Sequence, residues 1–423
     1  MRTVKTNQLW KPCCSVVALL MLPALGKTDV ILDWNAIMQA TVSTQTPFPQ
    51  ARFAAITQLA VFEAVNGITR EYQPYLGTIT APPNASAEAA AATAAHDVLK
   101  NLLPSSAATL DTSLAASLAT IPDGPAKTAG ITAGQAAAAA MLAARAHDGS
   151  SPAAFYLPSS SDPGVWQPTP GCTPAGGAFY QWRNVTPFGI RSGSQFRLGP
   201  PVTLPSDRYA RTYNEVKAVG GSDSTERPTD RANVARFYAA VTPVGVFNDA
   251  ARQLSAAQGK SLSENAHDFA LINMAISDGA VATFDSKYHY NFWRPETAIH
   301  NAAADGNDQT APDGTFAPFI VTPCFPGYPS AHGTLSNAAR EVMEQVYEGG
   351  QLSITLTTAA VPGVTLNYTT LTQITDDIED ARVYGGIHFR TDQDAGSALG
   401  RRVGQYVYNH NLRSVHGDCP TNR

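Results

Sequence analysis

Phe325-Pro-Gly-Tyr-Pro-Ser-Ala-His-Gly333, followed without a break by Thr334 to Tyr347 (TLSNAAREVMEQVY), is the stretch from which the fold is read. The proline-rich approach stops and a helix begins. Its start carries Ser330, Ala331 and His332. Free backbone N–H groups and the helix dipole at such a start favour an oxyanion. The Ser330 hydroxyl can add a hydrogen bond, and the His332 imidazole can serve as general base or acid. In isolation the same residues read as an ordinary N-cap beside a surface histidine.

Outward from this helix, helical patterning fills most of the 423 residues. Asp29 to Val42 has helical apolar spacing, Pro47 and Pro49 break it, and Ala51 to Val65 resumes it as a buried helix. The alanine-rich residues 84–148 are cut by Pro104 and by Pro122-Asp-Gly-Pro125 into about three helices. Residues 150–206 turn to proline, glycine, serine and aromatics, with Trp166, Tyr180, Trp182 and Phe188, and read as a long loop wrapped on the protein. Further helices are expected at 207–219, 229–241, 246–258, 262–286, from Ser330, and near 390–411. Leu352 to Tyr368 alternates around Pro362-Gly363 as a small β-hairpin. The fold class is therefore mainly α, a set of helical bundles with one hairpin near 352–368. The expected division is an N-terminal helical half at 27–205 and a C-terminal half at 206–423. Rossmann and Walker glycine patterns and internal repeats are absent from the sequence.

Residues 1–26 read as an export signal: Arg2, Lys5 and Lys11, then the apolar run Ser15–Ala24, then a small-residue cleavage site at Ala24-Leu25-Gly26. The run is too short to span a bilayer comfortably. A secreted or periplasmic protein follows, with no membrane contact after the signal is removed. The net charge of −5 and pI near 6.0 argue against a nucleic-acid partner. Charged residues make up only 15%, and alanine, serine and threonine fill the gap, which suits closely packed helices. Cys172, Cys324 and Cys419 remain in the mature chain; their pairing is not readable, with Cys324–Cys419 as one candidate. Asn84, Asn184 and Asn367 fit the glycosylation sequon, a pattern that chance also produces.

Two other segments carry chemistry. Lys287-Tyr-His-Tyr-Asn-Phe-Trp-Arg294-Pro295 places two cations seven apart, so one helical face can present both. Aromatic filling implies burial, and buried cations need an anion. Structural salt bridges to Asp278 or Asp285 are the alternative. Arg382-Val-Tyr-Gly-Gly-Ile-His388-Phe-Arg-Thr-Asp392 places His388 and Asp392 four apart, where a carboxylate can orient an imidazole. Gly385-Gly386 permits the break that brings Arg382 and His388 together. The three segments supply three cations, a hydroxyl, helix-end amides and two histidines, a set suited to a tetrahedral oxyanion such as phosphate or vanadate.

In order and spacing, Lys287…Arg294-Pro295, Pro329-Ser-Ala-His332 and Ala381-Arg382…His388…Asp392 resemble the superfamily uniting vanadium-dependent haloperoxidases, type 2 phosphatidic acid phosphatases and soluble acid phosphatases, in its bacterial haloperoxidase-like branch. The family pattern is Lys-x6-Arg-Pro, Pro-Ser-Gly-His and Ser-Arg-x5-His-x3-Asp. Two positions depart: Ala331 stands for glycine and Ala381 for serine. Ala331 keeps its backbone N–H, whereas Ala381 loses a hydroxyl that would support Arg382.

The resemblance implies vanadate as cofactor, with phosphate as a competing oxyanion. His388 would bond vanadium, oriented by Asp392. Lys287, Arg294, Arg382, Ser330 and the Ala331 amide would hold the oxyanion. His332 would accept a proton from hydrogen peroxide, and Lys287 would polarise the bound peroxide toward a halide. Partners would be hydrogen peroxide and halide, with room for a small organic acceptor and for a homo-oligomer. Two readings stand beside haloperoxidase: a secreted acid phosphatase working through a phosphohistidine at His388, and an inert exported helical binding protein. Missing membrane spans and the extra helical half at 29–148 favour haloperoxidase. Phe325 and Phe284 fall near the expected halide region without deciding the halide.

Overall fold

The computed structural model describes residues 29–169, 171–172, 176–347 and 352–415. The export signal and Cys419 lie outside the described residues. The element order is α1 (Val30–Val42), α2 (Pro47–Thr69), α3 (Ala87–Leu102), α4 (Ala107–Ala119), α5 (Pro125–Arg145), α6 (Asp207–Gly220), α7 (Thr229–Ala240), α8 (Pro243–Gln258), α9 (Leu262–Tyr290), α10 (Pro295–His300), α11 (Ala331–Val346), β1 (Ile354–Thr357), β2 (Thr365–Tyr368), α12 (Leu371–Tyr384) and α13 (Arg390–His410). The mainly α fold class and the hairpin are as the sequence predicts. In the hairpin β1 and β2 pair antiparallel, with Ile354 opposite Tyr368. Among the described residues no helix is long and apolar enough to cross a membrane.

Helix α9 is the spine. A capping box of Ser261 and Glu264 starts it, and nearly every side chain from Ser263 to Tyr288 is buried. A helix buried on all sides has to be enclosed by others, and α2, α11 and α13 pack around this one. Alanine and glycine set how closely the helices approach. Gly396, Gly400 and Gly404 recur every fourth residue along α13, facing the backbone of α11; a Cβ on Gly396 would lie 2.7 Å from the Ser330 carbonyl. This ridge fixes α13 against the start of α11.

Several boundaries differ from the sequence reading. Helix α2 begins at Pro47, not Ala51: the two prolines end α1 and open α2, where a missing N–H costs nothing. Helix α8 starts at Pro243 for the same reason, and α9 runs on to Tyr290. Helices α10 and α12 were not expected. The capping box of Thr370 and Gln373 was the signal for α12.

The wrapping loop is anchored as its aromatics suggest. Trp166, Trp182 and Phe188 are buried. The Trp166 backbone N–H donates to the Asn291 carbonyl at 2.8 Å, and the Trp293 backbone N–H to the Gly164 carbonyl at 2.9 Å. Cys172 forms a disulfide with Cys324, so the candidate pair Cys324–Cys419 is corrected. The disulfide ties the loop to the segment preceding α11.

Candidate active site

Five helix ends meet in one place. Helix α9 stops at Asn291, which takes a left-handed conformation (φ 49°) that asparagine tolerates better than most residues. Arg294 therefore lies outside α9, as the N-cap of α10. The expectation that Lys287 and Arg294 share one helical face is thus corrected: they converge because the helix ends between them. Gly386, at φ 79°, turns the chain after α12, and a Cβ there would strike the Gly220 carbonyl. That turn brings His388 back toward Arg382 in the last turn of α12, as the sequence anticipated.

All three cations are buried, with Lys287 and Arg294 fully so. The Lys287 ammonium donates to the carbonyls of Pro326 and Gly327, both at 2.7 Å, leaving a third N–H. Arg294 donates through Nε to the Phe325 carbonyl (2.9 Å) and through Nη1 to the Ile387 carbonyl (2.9 Å), with His388 Nε2 2.8 Å away. Among the described residues its Nη2 has no partner, nor do Nε and Nη2 of Arg382. Neither acid proposed as a structural partner is available. Asp278 accepts the backbone N–H groups of Phe188, Gly189 and Ile190, and Asp285 pairs with Arg197 at 2.7 Å.

Asp392 organises the rest. Its Oδ2 accepts from His388 Nδ1 at 2.9 Å and from the Phe389 N–H at 3.2 Å, while its backbone carbonyl accepts the Ser330 N–H at 2.9 Å. His388 precedes α13 and is not part of it, so the expected shared helical face is replaced by a capping contact. Ser330 is the N-cap of α11, its Oγ accepting from the Gly333 N–H at 3.2 Å. The first-turn amides of Ala331 and His332 precede any helical acceptor. Ala331 is helical, so its Cβ is accommodated. Ala381 is buried and offers Arg382 no hydroxyl.

The electrostatics follow from burial. Desolvation, then Arg294, pushes Lys287 well below the ordinary lysine value, while Asp392 opposes. Burial lowers Arg294 to about 10; burial and then Arg294 lower Arg382 to about 9. His332 is held well below the ordinary histidine value by burial, then by Arg382, Arg294 and Lys287. His388 is lowered by burial and the same cations, Arg294 foremost, so both imidazoles are neutral at pH 7. Asp392 is raised to about 7 by burial, against the pull of Lys287 and Arg294. Among the described residues Asp392 is the carboxylate that offsets Lys287 and Arg294, and none offsets Arg382. The pocket is thus a positive concavity with unused donors, the condition an oxyanion relieves. Among the described residues, no group of three or more His, Cys, Asp or Glu is placed to hold a metal ion.

His332 and His388 open onto a cavity of about 300 Å³. Its walls include Pro47 and Phe48 of α2, Ala178 and Phe179 of the wrapping loop, Pro243 of α8, and Phe325 and Leu335. Phe284, expected nearby, is a buried support behind it, 4.5 Å from Phe48 and 5.3 Å from Phe325 between ring centroids. Phe48, Phe179 and Pro243 were not singled out from sequence. They come from distant segments, and no local pattern announces that they meet.

Residues 267–417 match the family model of the VCPO second helical-bundle domain. Over 87 residues the chain is 29% identical to the vanadium chloroperoxidase of Curvularia inaequalis, a match covering 19% of this chain but only 14% of that protein. The crystal structure of a bacterial vanadium-dependent iodoperoxidase superposes with a TM-score of 0.75 at 24% identity, covering 91% of this chain and 96% of that one. An apo-type bacterial vanadium-dependent chloroperoxidase gives 0.72 at 18% identity, over 86% and 94%. Residues 267–417 thus carry the VCPO second helical-bundle domain, and the chain as a whole shares the fold of these bacterial vanadium-dependent haloperoxidase structures.

Proposed function

We propose that the protein is an exported vanadate-dependent haloperoxidase that oxidises halide with hydrogen peroxide to hypohalous acid. The observation that carries the reading is the set of unpartnered buried donors, Arg294 Nη2 with Arg382 Nε and Nη2, beside a neutral histidine fixed by Asp392. A tetrahedral oxyanion fits this donor set. Arg294, Arg382, Lys287, Ser330 and the Ala331 amide would hold its oxygens, and His388 would bond it through Nε2. When bound, vanadate would supply a Lewis acid that activates peroxide without changing its oxidation state.

The chain's own residues account for the remaining chemistry. Asp392 accepts from His388 Nδ1, which fixes the proton there; the Nε2 lone pair accepts from Arg294 Nη1 at 2.8 Å, a contact that a bound oxyanion would displace. Neutral His332 can take a proton from incoming peroxide, because burial, and then the surrounding cations, disfavour its protonated form. The third N–H of Lys287 lies ready for negative charge as it develops. The apolar cavity limits water around these groups. The Cys172–Cys324 disulfide suits the oxidising compartment that an export signal implies.

The test is a paired assay. Purified protein loaded with orthovanadate is followed for peroxide-dependent bromination or iodination, and protein without vanadate for hydrolysis of a phosphate monoester. Halogenation is expected only with vanadate, and His388→Ala should abolish it. Robust hydrolysis with no halogenation would instead establish the phosphatase reading, with His388 as nucleophile. Full activity in His388→Ala would remove both enzyme readings.

A further inference from the structure

The turn that joins Arg382 to His388 is short, and three groups of the candidate site depend on it. Arg382 stands before it in the last turn of α12, and His388 follows it. Within it the Ile387 carbonyl accepts from Arg294 Nη1 at 2.9 Å. Its own bonds run from the Gly386 N–H to the Val383 carbonyl (2.9 Å) and from the Ile387 N–H to the Arg382 carbonyl (3.1 Å). Gly385 and Gly386 allow this path and also leave it compliant, because glycine has the widest choice of backbone angles. The geometry of the turn is therefore set by what packs on it.

The end of α6 is that support. A Cβ on Gly220 would lie 2.6 Å from the Gly386 Cα, so the two backbones touch. A strap at 317–320 stitches them together. The Ser222 N–H donates to the Ala317 carbonyl (2.8 Å), the Phe319 N–H to the Gly220 carbonyl (2.9 Å) and the Ile320 N–H to the Gly385 carbonyl (3.0 Å). Arg227 closes the junction. Its Nη1 donates to the carbonyls of Gly221 (2.7 Å) and Val219 (3.0 Å) at the end of α6, and to the Tyr384 carbonyl (3.3 Å) at the end of α12. Its guanidinium carbon lies 3.7 Å from the centroid of the Phe319 ring on the strap. Ser224 seats its backbone: Oγ accepts the Arg227 N–H at 3.2 Å and donates to the Ala218 carbonyl at 2.6 Å.

This is a C-terminal cap shared by two helices. The last carbonyls of each lack helical partners, and both helix dipoles present their negative ends to the cation. Burial, and then Arg236, lower the Arg227 guanidinium, and among the described residues no carboxylate offsets it. Its hydrogen bonds go to the backbone of both helices, where an ordinary surface arginine would pair with an acid.

We propose that Arg227 is a positioning residue for the oxyanion pocket. By tying the ends of α6 and α12 to one nitrogen it holds the 385–387 turn, and through the turn it sets the spacing of Arg382, Arg294 and His388. The effect on oxyanion binding rests on the oxyanion reading of the pocket; the effect on the turn rests on the clamp alone.

Arg227→Met keeps bulk over Phe319 and removes the donors. Without oxyanion, hydrogen exchange at the Gly386 and Ile387 amides should quicken at least tenfold relative to wild type. The Kd for orthovanadate, measured by equilibrium dialysis, should rise at least tenfold. Arg227→Lys should recover part of both losses, because all three bonds come from a single nitrogen and an ammonium has three donors. Phe319→Leu removes the ring that seats the guanidinium and should shift both readouts in the same direction, should Arg227→Met misfold. Arg231→Met controls for general loosening. It breaks ion pairs to Asp377 (2.7 Å) and Asp380 (3.3 Å) of the same α12, and should lower Tm without moving the Kd. An Arg227→Met protein of lower Tm, with wild-type Kd and wild-type exchange at the turn, overturns the proposal. So does a Kd shift no larger than that of Arg231→Met, or a lysine variant no better than the methionine one. Faster exchange at the turn, in a protein whose wild type binds neither orthovanadate nor phosphate, refutes the oxyanion reading and leaves Arg227 assigned as the clamp of the turn.

Discussion

Replacing Arg382 by Met should move the stability of the oxyanion-free protein and its oxyanion affinity in opposite directions. Arg382 is 3% exposed, and among the described residues two of its nitrogens have no partner and no carboxylate offsets it. Burial and Arg294 lower it from 12.5 to about 9. At about 1.4 kcal/mol for each tenfold, the upper bound on that penalty is roughly 5 kcal/mol. Relaxation and lost packing reduce the net gain from an apolar replacement to about 1–3 kcal/mol. For 423 residues the unfolding entropy is on the order of 0.9 kcal/mol per degree, so Tm without oxyanion should rise by about 1–3 °C. Orthovanadate at a hundred times its Kd should raise the wild-type Tm by about 3 °C, equivalent to ~2.7 kcal/mol. The variant loses two charge-assisted hydrogen bonds of about 1.5–3 kcal/mol each, so its Kd should rise on the order of a hundredfold or more. Scanning calorimetry with and without orthovanadate, together with equilibrium dialysis and vanadium quantitation, measures both effects. A variant that is less stable by 2 °C or more without oxyanion would show that Arg382 already has its counter-charge within the protein. Undiminished vanadate retention would show that its free donors do not face the oxyanion.

Other consequences are equally concrete. Asp392, raised to about 7 in the folded chain against an ordinary 3.8, contributes stability below the unfolded value that is lost as pH rises through 7. Without oxyanion, Asp392→Asn should therefore gain stability relative to wild type between about pH 4 and 7, and denaturant titrations showing the opposite slope would contradict this assignment. Gly400→Val drives a side chain into the Thr334 carbonyl and should cost more than about 2 kcal/mol by urea denaturation, with loss of oxyanion binding, since α13 must move off α11. Replacing Cys172 and Cys324 together by Ser opens a cross-link between residues 152 apart and should lower stability by roughly 3–5 kcal/mol, read by chemical denaturation against the oxidised protein.

The helical architecture was legible wherever apolar period and caps agreed. Buried α9 and the start of α11 at Ser330 are examples. It was misread where one residue type serves two purposes: Pro47 both ends a helix and begins the next. The eight candidate site residues were legible as types in an ordered spacing. Their geometry was less so. Lys287 and Arg294 lie seven apart, which suggests a shared face, yet a left-handed Asn291 between them sets the actual approach. That Asp278 and Asp285 are committed elsewhere depends on contacts to Phe188–Ile190 and Arg197, some ninety residues away in sequence. The aromatic cavity was hidden for the same reason: Phe48, Phe179 and Phe325 are brought together only by the packing of separate segments.

Asp392 contacts both sides of the site at once, through its side chain to His388 and through its carbonyl to Ser330. His388 and the start of α11 are therefore aligned directly, by a clasp that bypasses the chain joining them. The turn of the hairpin between α11 and α12 takes no part in these two contacts. Insertions or deletions at its turn, around Pro362-Gly363, are then a place where the sequence can drift, or be lengthened by design, while the spacing between His388 and Ser330 stays as it is.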